Sequence, residues 1–290
     1  MTKKKNIVDD LLDSISEFGA KLGDTMEELG LGDLFGTPSE TAAQKPKVVP
    51  TAEEAHREGL LSTFRHRKND EAERAFLKDA VGKYAPHVLA SSNDELLTAH
   101  AKAAVWVEDL ATAAASFEEV QKQTPRLHEA RGLVLYTLKR FPSASTQFRP
   151  AEDSLSNPGR LAYAAALFQN GSTPAPVYQT LLAPLLERHA QANAILGIVA
   201  ARTVNYDAAE RYLRRAVEMN PHGEQTQLDL MRVLVLAGKK AEAYALTSPF
   251  YVQTGSQRDQ TALNGELEGR MLTVRPFKIA NLSAVIDSLV

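Results

Sequence analysis

Apolar residues recur along most of this chain at three- and four-residue intervals, the period of a helix with one buried face. No segment sustains the period-two alternation of a strand, so the pattern predicts an all-α protein. Its most regular stretch is residues 193–221, where Gly197 is followed twelve residues later by Ala209, then by Leu213, Ala216 and Pro221 at steps of four, three and five. The same ladder recurs as Ala101, Ala113, Phe117, Val120 and Pro125, and as Gly132, Ala144, Phe148 and Ala151. A unit of about 34 residues is repeated.

Each unit predicts a helix, a turn and a second helix. The small residue midway along the first helix admits the second to close range, where Ala209 or Ala113 completes the contact. The large apolar residue one turn later fills the space between successive pairs. Pro125 and Pro221 are expected to stop the second helix, since proline lacks the N–H that would continue it. Asn69 or Asp70, and Asn93 or Asp94, are predicted N-caps. Thr51 and Glu54 form a capping box that opens the first helix of the body.

These spacings resemble the tetratricopeptide repeat (TPR) family, whose helical hairpins stack into a right-handed superhelix. The resemblance is strongest over residues 190–223, good over 94–158, and thinner where only Leu60, Ala72 and Phe76, or Met231 and Ala243, keep the spacing. Over 159–189 the helical pattern persists without the signature, because Ala175 is followed at the diagnostic place by Gln179. The implied architecture is an α-solenoid of about six hairpins over 51–257 with C-terminal capping helices over 258–290, in which TALNGELEGRML covers the last hairpin and NLSAVIDSLV forms a short closing helix.

Ahead of the repeats lie a segment and a linker of different character. Residues 1–35 predict an acidic amphipathic arm, with Val8, Leu11, Leu12, Ile15, Phe18 and Leu22 on one helical face and Asp9, Asp10, Asp13 and Glu17 around the other. Residues 36–50 carry three prolines and little to bury, which predicts a flexible linker. Of the formal net charge of −3, all resides in residues 1–50, which hold six Lys and nine Asp or Glu. A neutral body with an acidic arm argues against nucleic acid as a ligand.

Composition narrows the chemistry further. The absence of cysteine removes disulfides, thiolate catalysis and cysteine-held metals. None of the seven histidines pairs with Glu at helical metal spacing, so no metal or other cofactor is expected. GLGDLFG at 30–36 lacks the strand and lysine of a phosphate loop, and Asn170-Gly171-Ser172 reads as a turn. Neither an apolar span of about 20 residues nor a signal peptide is visible, which makes the cytoplasm the expected compartment.

The resemblance implies that the first helix of each hairpin lines a groove, which would carry Lys102, Trp106, Arg126, Tyr136, Arg202 and Arg232. The alternative is that Trp106 and Tyr136 pack internally and the cations are solvated. A basic, aromatic-bearing groove suits a peptide or amphipathic helix with acids and apolar anchors. The family's clamp for C-terminal carboxylates is not expected, because Thr98 and Glu129 stand at its places. The expectation is therefore a non-enzymatic scaffold, adaptor or chaperone-like assembly factor that binds protein in its groove; the arm either occupies that groove, in cis or in a neighbour, until displaced, or is a disordered tail with one transient helix. A second reading makes the arm a membrane-proximal or complex-tethering element and the repeats a spacer; acids on the arm's polar face weigh against membrane contact.

Overall fold

The fold is given by a computed structural model that describes residues 52–67, 70–171, 173–246, 265 and 267–290. The arm and its six apolar residues, the linker and Thr51 lie outside the described residues. The chain divides into two units, residues 1–63 and 64–290. Described residues of the first unit form most of helix α1 (Ala52–Arg65), in which the Thr63 hydroxyl donates back to the Gly59 carbonyl at 3.0 Å.

Within the second unit every regular element among the described residues is helical. Beside two short 3₁₀ helices, Arg149–Ser154 and Ala183–Leu185, they are in order α2 (Glu71–Leu89), α3 (Asp94–Trp106), α4 (Leu110–Glu119), α5 (Pro125–Thr137), α6 (Phe141–Phe148), α7 (Asn157–Asn170) and α8 (Ala175–Leu182). Then come α9 (Ala190–Arg202), α10 (Tyr206–Met219), α11 (Glu224–Leu236), α12 (Lys240–Ala245) and α13 (Leu282–Leu289). Helices pair in sequence as α3/α4, α5/α6, α7/α8, α9/α10 and α11/α12, and each pair packs on the next.

The turns inside these pairs repeat in backbone detail. A residue of positive φ falls at Glu108, Lys139, Gly171, Val204 and Gly238, every 31 to 34 residues. Each bonds its own N–H three residues back, and at Glu108, Lys139, Val204 and Gly238 the following N–H reaches five back, as Asn205 does to Ala200 at 2.9 Å. The last carbonyls of the first helix are thereby satisfied while the chain reverses. In each of these four turns the second helix opens two residues after the left-handed one.

The exception explains the lost signature. After Gly171 the next helix opens four residues on, at Ala175, so two extra residues displace every position of α8. The places of Ala209 and Leu213 fall there to Tyr178 and Leu182, both buried. Gln179, the residue that breaks the ladder in the sequence, is exposed.

Close approach within pairs has the predicted cause. A Cβ added at Gly197 would lie 2.6 Å from Leu213 Cγ and 3.2 Å from the Ala209 carbonyl, and one at Gly132 would lie 2.6 Å from the Phe148 ring. Ala209, Leu213 and Ala216 are fully buried, as are Ala113, Phe117, Ala144 and Phe148. Pro125 departs from expectation. It sits at the first position of α5, where its missing N–H would be unpaired anyway, and so opens a helix rather than stopping one.

Polar side chains cap the helices and tie pair to pair. Asp70, Asn93, Asp109, Thr124, Ser156 and Asn205 cap α2, α3, α4, α5, α7 and α10. Arg131 of α5 reaches back to the exposed end of α4, donating to the Phe117 carbonyl at 2.6 Å and the Val120 carbonyl at 3.0 Å. That places a guanidinium on the negative end of a helix. Glu129, at one place of the clamp, is buried and accepts from the Ser156 N–H at 3.1 Å, so it holds the start of α7 and offers nothing to a ligand.

His100 is wholly buried between Ser116 Oγ at 2.8 Å and the Val81 carbonyl at 3.0 Å, with the Phe64 ring edge-on at 4.8 Å. A carbonyl only accepts, so Nε2 carries a proton. Burial pushes the imidazole below its ordinary range.

Candidate functional site

The first helices of the pairs present polar side chains to residues 270–290, a strap that runs back across them. At its start Arg270 Nε donates to Asp229 Oδ1 of α11 at 3.1 Å, an ion pair with both side chains under a tenth exposed. Burial pushes the Asp229 carboxyl up, and the Arg270 guanidinium opposes that shift. Arg232 Nε of α11 donates to the Arg270 carbonyl at 3.0 Å. Further on, Gln169 Nε2 of α7 donates to the Val274 carbonyl. Then Tyr136 Oη of α5 accepts from the Phe277 N–H at 3.0 Å, with the two rings 5.3 Å apart.

The strap ends on α3. Its last helix, α13, packs against both α3 and α5 and buries Ile286. Lys102 Nζ of α3 donates to the Val290 carbonyl at 2.8 Å and lies 3.5 Å from Asp287, whose carboxylate also accepts from Arg67 at 2.8 and 3.0 Å. The order of contacts is thus α11, α7, α5, α3, opposite to the order of the repeats. Residues 270–279 contain no helix and make no backbone–backbone hydrogen bonds among the described residues. Val274, Phe277 and Ile279 are their apolar anchors, and Ile286 of α13 is the next.

This arrangement fixes the place of the closing helix and the state of the groove. The NLSAVIDSLV segment forms a short closing helix, α13, and it packs on the first pairs of the unit. Leu267 and the residues around it stay by the last pair, where Leu267 is buried with Leu228, Met231 and Leu234, and Glu268 meets Lys240 at 3.0 Å.

The six expected groove residues divide accordingly. Lys102, Tyr136 and Arg232 lie on the first-helix face and are occupied by the strap. Tyr136 is 1% exposed, and burial drives its phenol up to about 12, so it remains an uncharged hydroxyl. Arg202 stacks 4.8 Å from the Phe168 ring centroid. It shares with Arg232, Arg270, Leu236 and Met271 an open depression of about 410 Å³ in whose wall no acid stands among the described residues. Trp106 is half-buried beneath the Arg74 guanidinium, 5.5 Å from its ring, and gives its carbonyl to Arg74 at 3.2 Å. Arg126, second residue of α5, is exposed and outside that depression.

Sequence reasoning passed over Gln169, Asp229, Arg67 and every acceptor on the strap. Gln169 was within reach, because it stands two residues before Gly171 as Arg202 stands before Val204 and Trp106 before Glu108. Asp229 and Arg270 carried no such signal, being 41 residues apart with nothing periodic between them.

Among the described residues no group of His, Asp and Glu is placed to hold a metal ion, and no helix is long and apolar enough to cross a membrane. No protein-family model matches the chain, and no curated protein sequence matches it.

Proposed function

We infer that this protein is a TPR-like α-solenoid, a non-enzymatic scaffold or chaperone-like adaptor that holds an extended polypeptide along the first helices of its hairpins. One observation carries the reading. The face already holds such a polypeptide, its own residues 270–290, through side chains set on α3, α5, α7 and α11. The depression between Arg202, Arg232 and Arg270 adds a basic wall with Phe168 beside it, which suits an acidic partner with apolar anchors. The partner is a protein rather than nucleic acid, no cofactor is needed, and the cytoplasm is the compartment this role implies. The arm, residues 1–35, is assigned partner contact or regulation through its apolar stripe.

The test is capture of a partner by the full chain beside Arg202→Glu with Arg126→Glu. Neither arginine holds the strap, so the strap's anchors remain in both proteins. Partners retained by the native chain and lost by the reversed one support the reading; equal retention places binding elsewhere.

A further inference from the structure

We propose that residues 270–290 are a displaceable occupant, and that the face beneath them binds a partner segment built like the strap. This rests on the scaffold reading above and adds to it the chemistry of the partner and the means of regulation.

The contacts themselves argue for exchange. The face reads the strap's main chain at four places: the Arg270, Val274 and Val290 carbonyls and the Phe277 N–H. Main-chain groups are common to every peptide, so an incoming segment of the same direction satisfies Arg232, Gln169, Lys102 and Tyr136 equally well. Side-chain selection falls to few positions. Val274 and Ile279 are buried, Phe277 lies on Tyr136, and α13 contributes Ile286 inward and Asp287 to Lys102 and Arg67. The fitting partner is an extended segment that opens on an arginine to replace Arg270 against the buried Asp229, with a branched aliphatic residue four residues on, an aromatic three further and an aliphatic two beyond. A short helical turn carrying an aliphatic residue followed by a carboxylate completes it.

The strap is also built to leave. Among the described residues no backbone–backbone hydrogen bond ties residues 270–279 to one another or to the helices, so opening breaks no such bond there. Entry into α13 passes through Asn281 at φ 48, a left-handed residue. At the far end Asp287 is 38% exposed, which leaves its two ion pairs open to screening. Where the strap begins, Met271 stands 83% exposed beside the open arginine-walled depression, and that depression gives an invading acidic segment its first foothold.

The experiment uses the full chain and a fluorescein-labelled synthetic peptide of residues 270–290, followed by anisotropy. Phe277→Ala with Asp287→Asn in the full chain weakens the internal strap without touching the face. The labelled peptide is expected to bind this variant at least tenfold more tightly than the native chain. The same two changes in the peptide, or Lys102→Gln added to the variant, should abolish that gain. Equal affinity for native and weakened chains, or no binding to the weakened chain, overturns the proposal. Hydrogen exchange on the native chain gives a reading independent of any variant: the Phe277 amide should exchange at least a hundredfold faster than interior amides of α9, and exchange at the rate of α9 makes the strap permanent core. These measurements read only the strap, whereas the capture experiment reads only the arginines it leaves free, so either conclusion can fail alone.

Discussion

Replacing glycine by alanine within a helix should act in opposite directions at two places in this chain. In a helix interior the exchange is favourable by about 1 kcal/mol, because alanine loses less backbone freedom on folding. Gly82, exposed in α2, has nothing within 4 Å of an added Cβ, so Gly82→Ala should realise most of that gain. At Gly197 the added carbon would stand 2.6 Å from Leu213 Cγ, where carbon atoms prefer about 3.5–4.0 Å. Cγ is the branch point of a fully buried leucine, and it moves aside only by leaving its rotamer at about 0.5–1.5 kcal/mol. The Ala209 carbonyl at 3.2 Å is backbone and cannot turn away, so the helices must separate as well. Overpacking of this kind costs about 1–3 kcal/mol, which after the propensity gain leaves Gly197→Ala about 0–2 kcal/mol less stable than the parent. Urea and thermal unfolding midpoints of both variants measure the difference. A double-mutant cycle with Leu213→Ala isolates the contact: in that background Gly197→Ala should be neutral or stabilising, with a coupling of about 1 kcal/mol or more. Should Gly197→Ala raise the midpoint as Gly82→Ala does, close approach is not what the glycine serves.

Other perturbations follow from single sites. His100 is held below its ordinary pKa by burial, so the unfolded chain takes up a proton near pH 6.5 that the folded chain refuses. Stability from this group is complete above about pH 6.5 and declines as pH falls, by no more than about 1.4 kcal/mol per unit. His100→Gln should flatten that limb of a stability–pH curve. Val204 holds a φ of 61 with its side chain 68% exposed, a branched residue in left-handed backbone with little burial to lose. Val204→Asn should raise the melting temperature, by a gain of about 1 kcal/mol. Arg270→Gln strands Asp229 in the core without its cation, and the loss should be about 3–5 kcal/mol, read from the unfolding midpoint. Restoring neutrality with Asp229→Asn should recover a large part of that loss.

What the sequence determined by itself is the hairpins. Helix, turn and partner helix are spelled by residues within about 20 positions of one another, and the small residue, the alanine twelve on and the buried leucine or phenylalanine act through contacts of fixed spacing. Where two residues were inserted after Gly171 the spacing lapsed, while the helices and the left-handed turn persisted. Tertiary structure alone decided what covers the first helices. Lys102 meets Val290 across 188 positions and Tyr136 meets Phe277 across 141, and in both cases the strap contributes a main-chain group that every residue possesses. Such pairing leaves no pattern in the strap's sequence. Only the folded chain, by bringing the first helices side by side, shows that they hold a segment of the molecule itself.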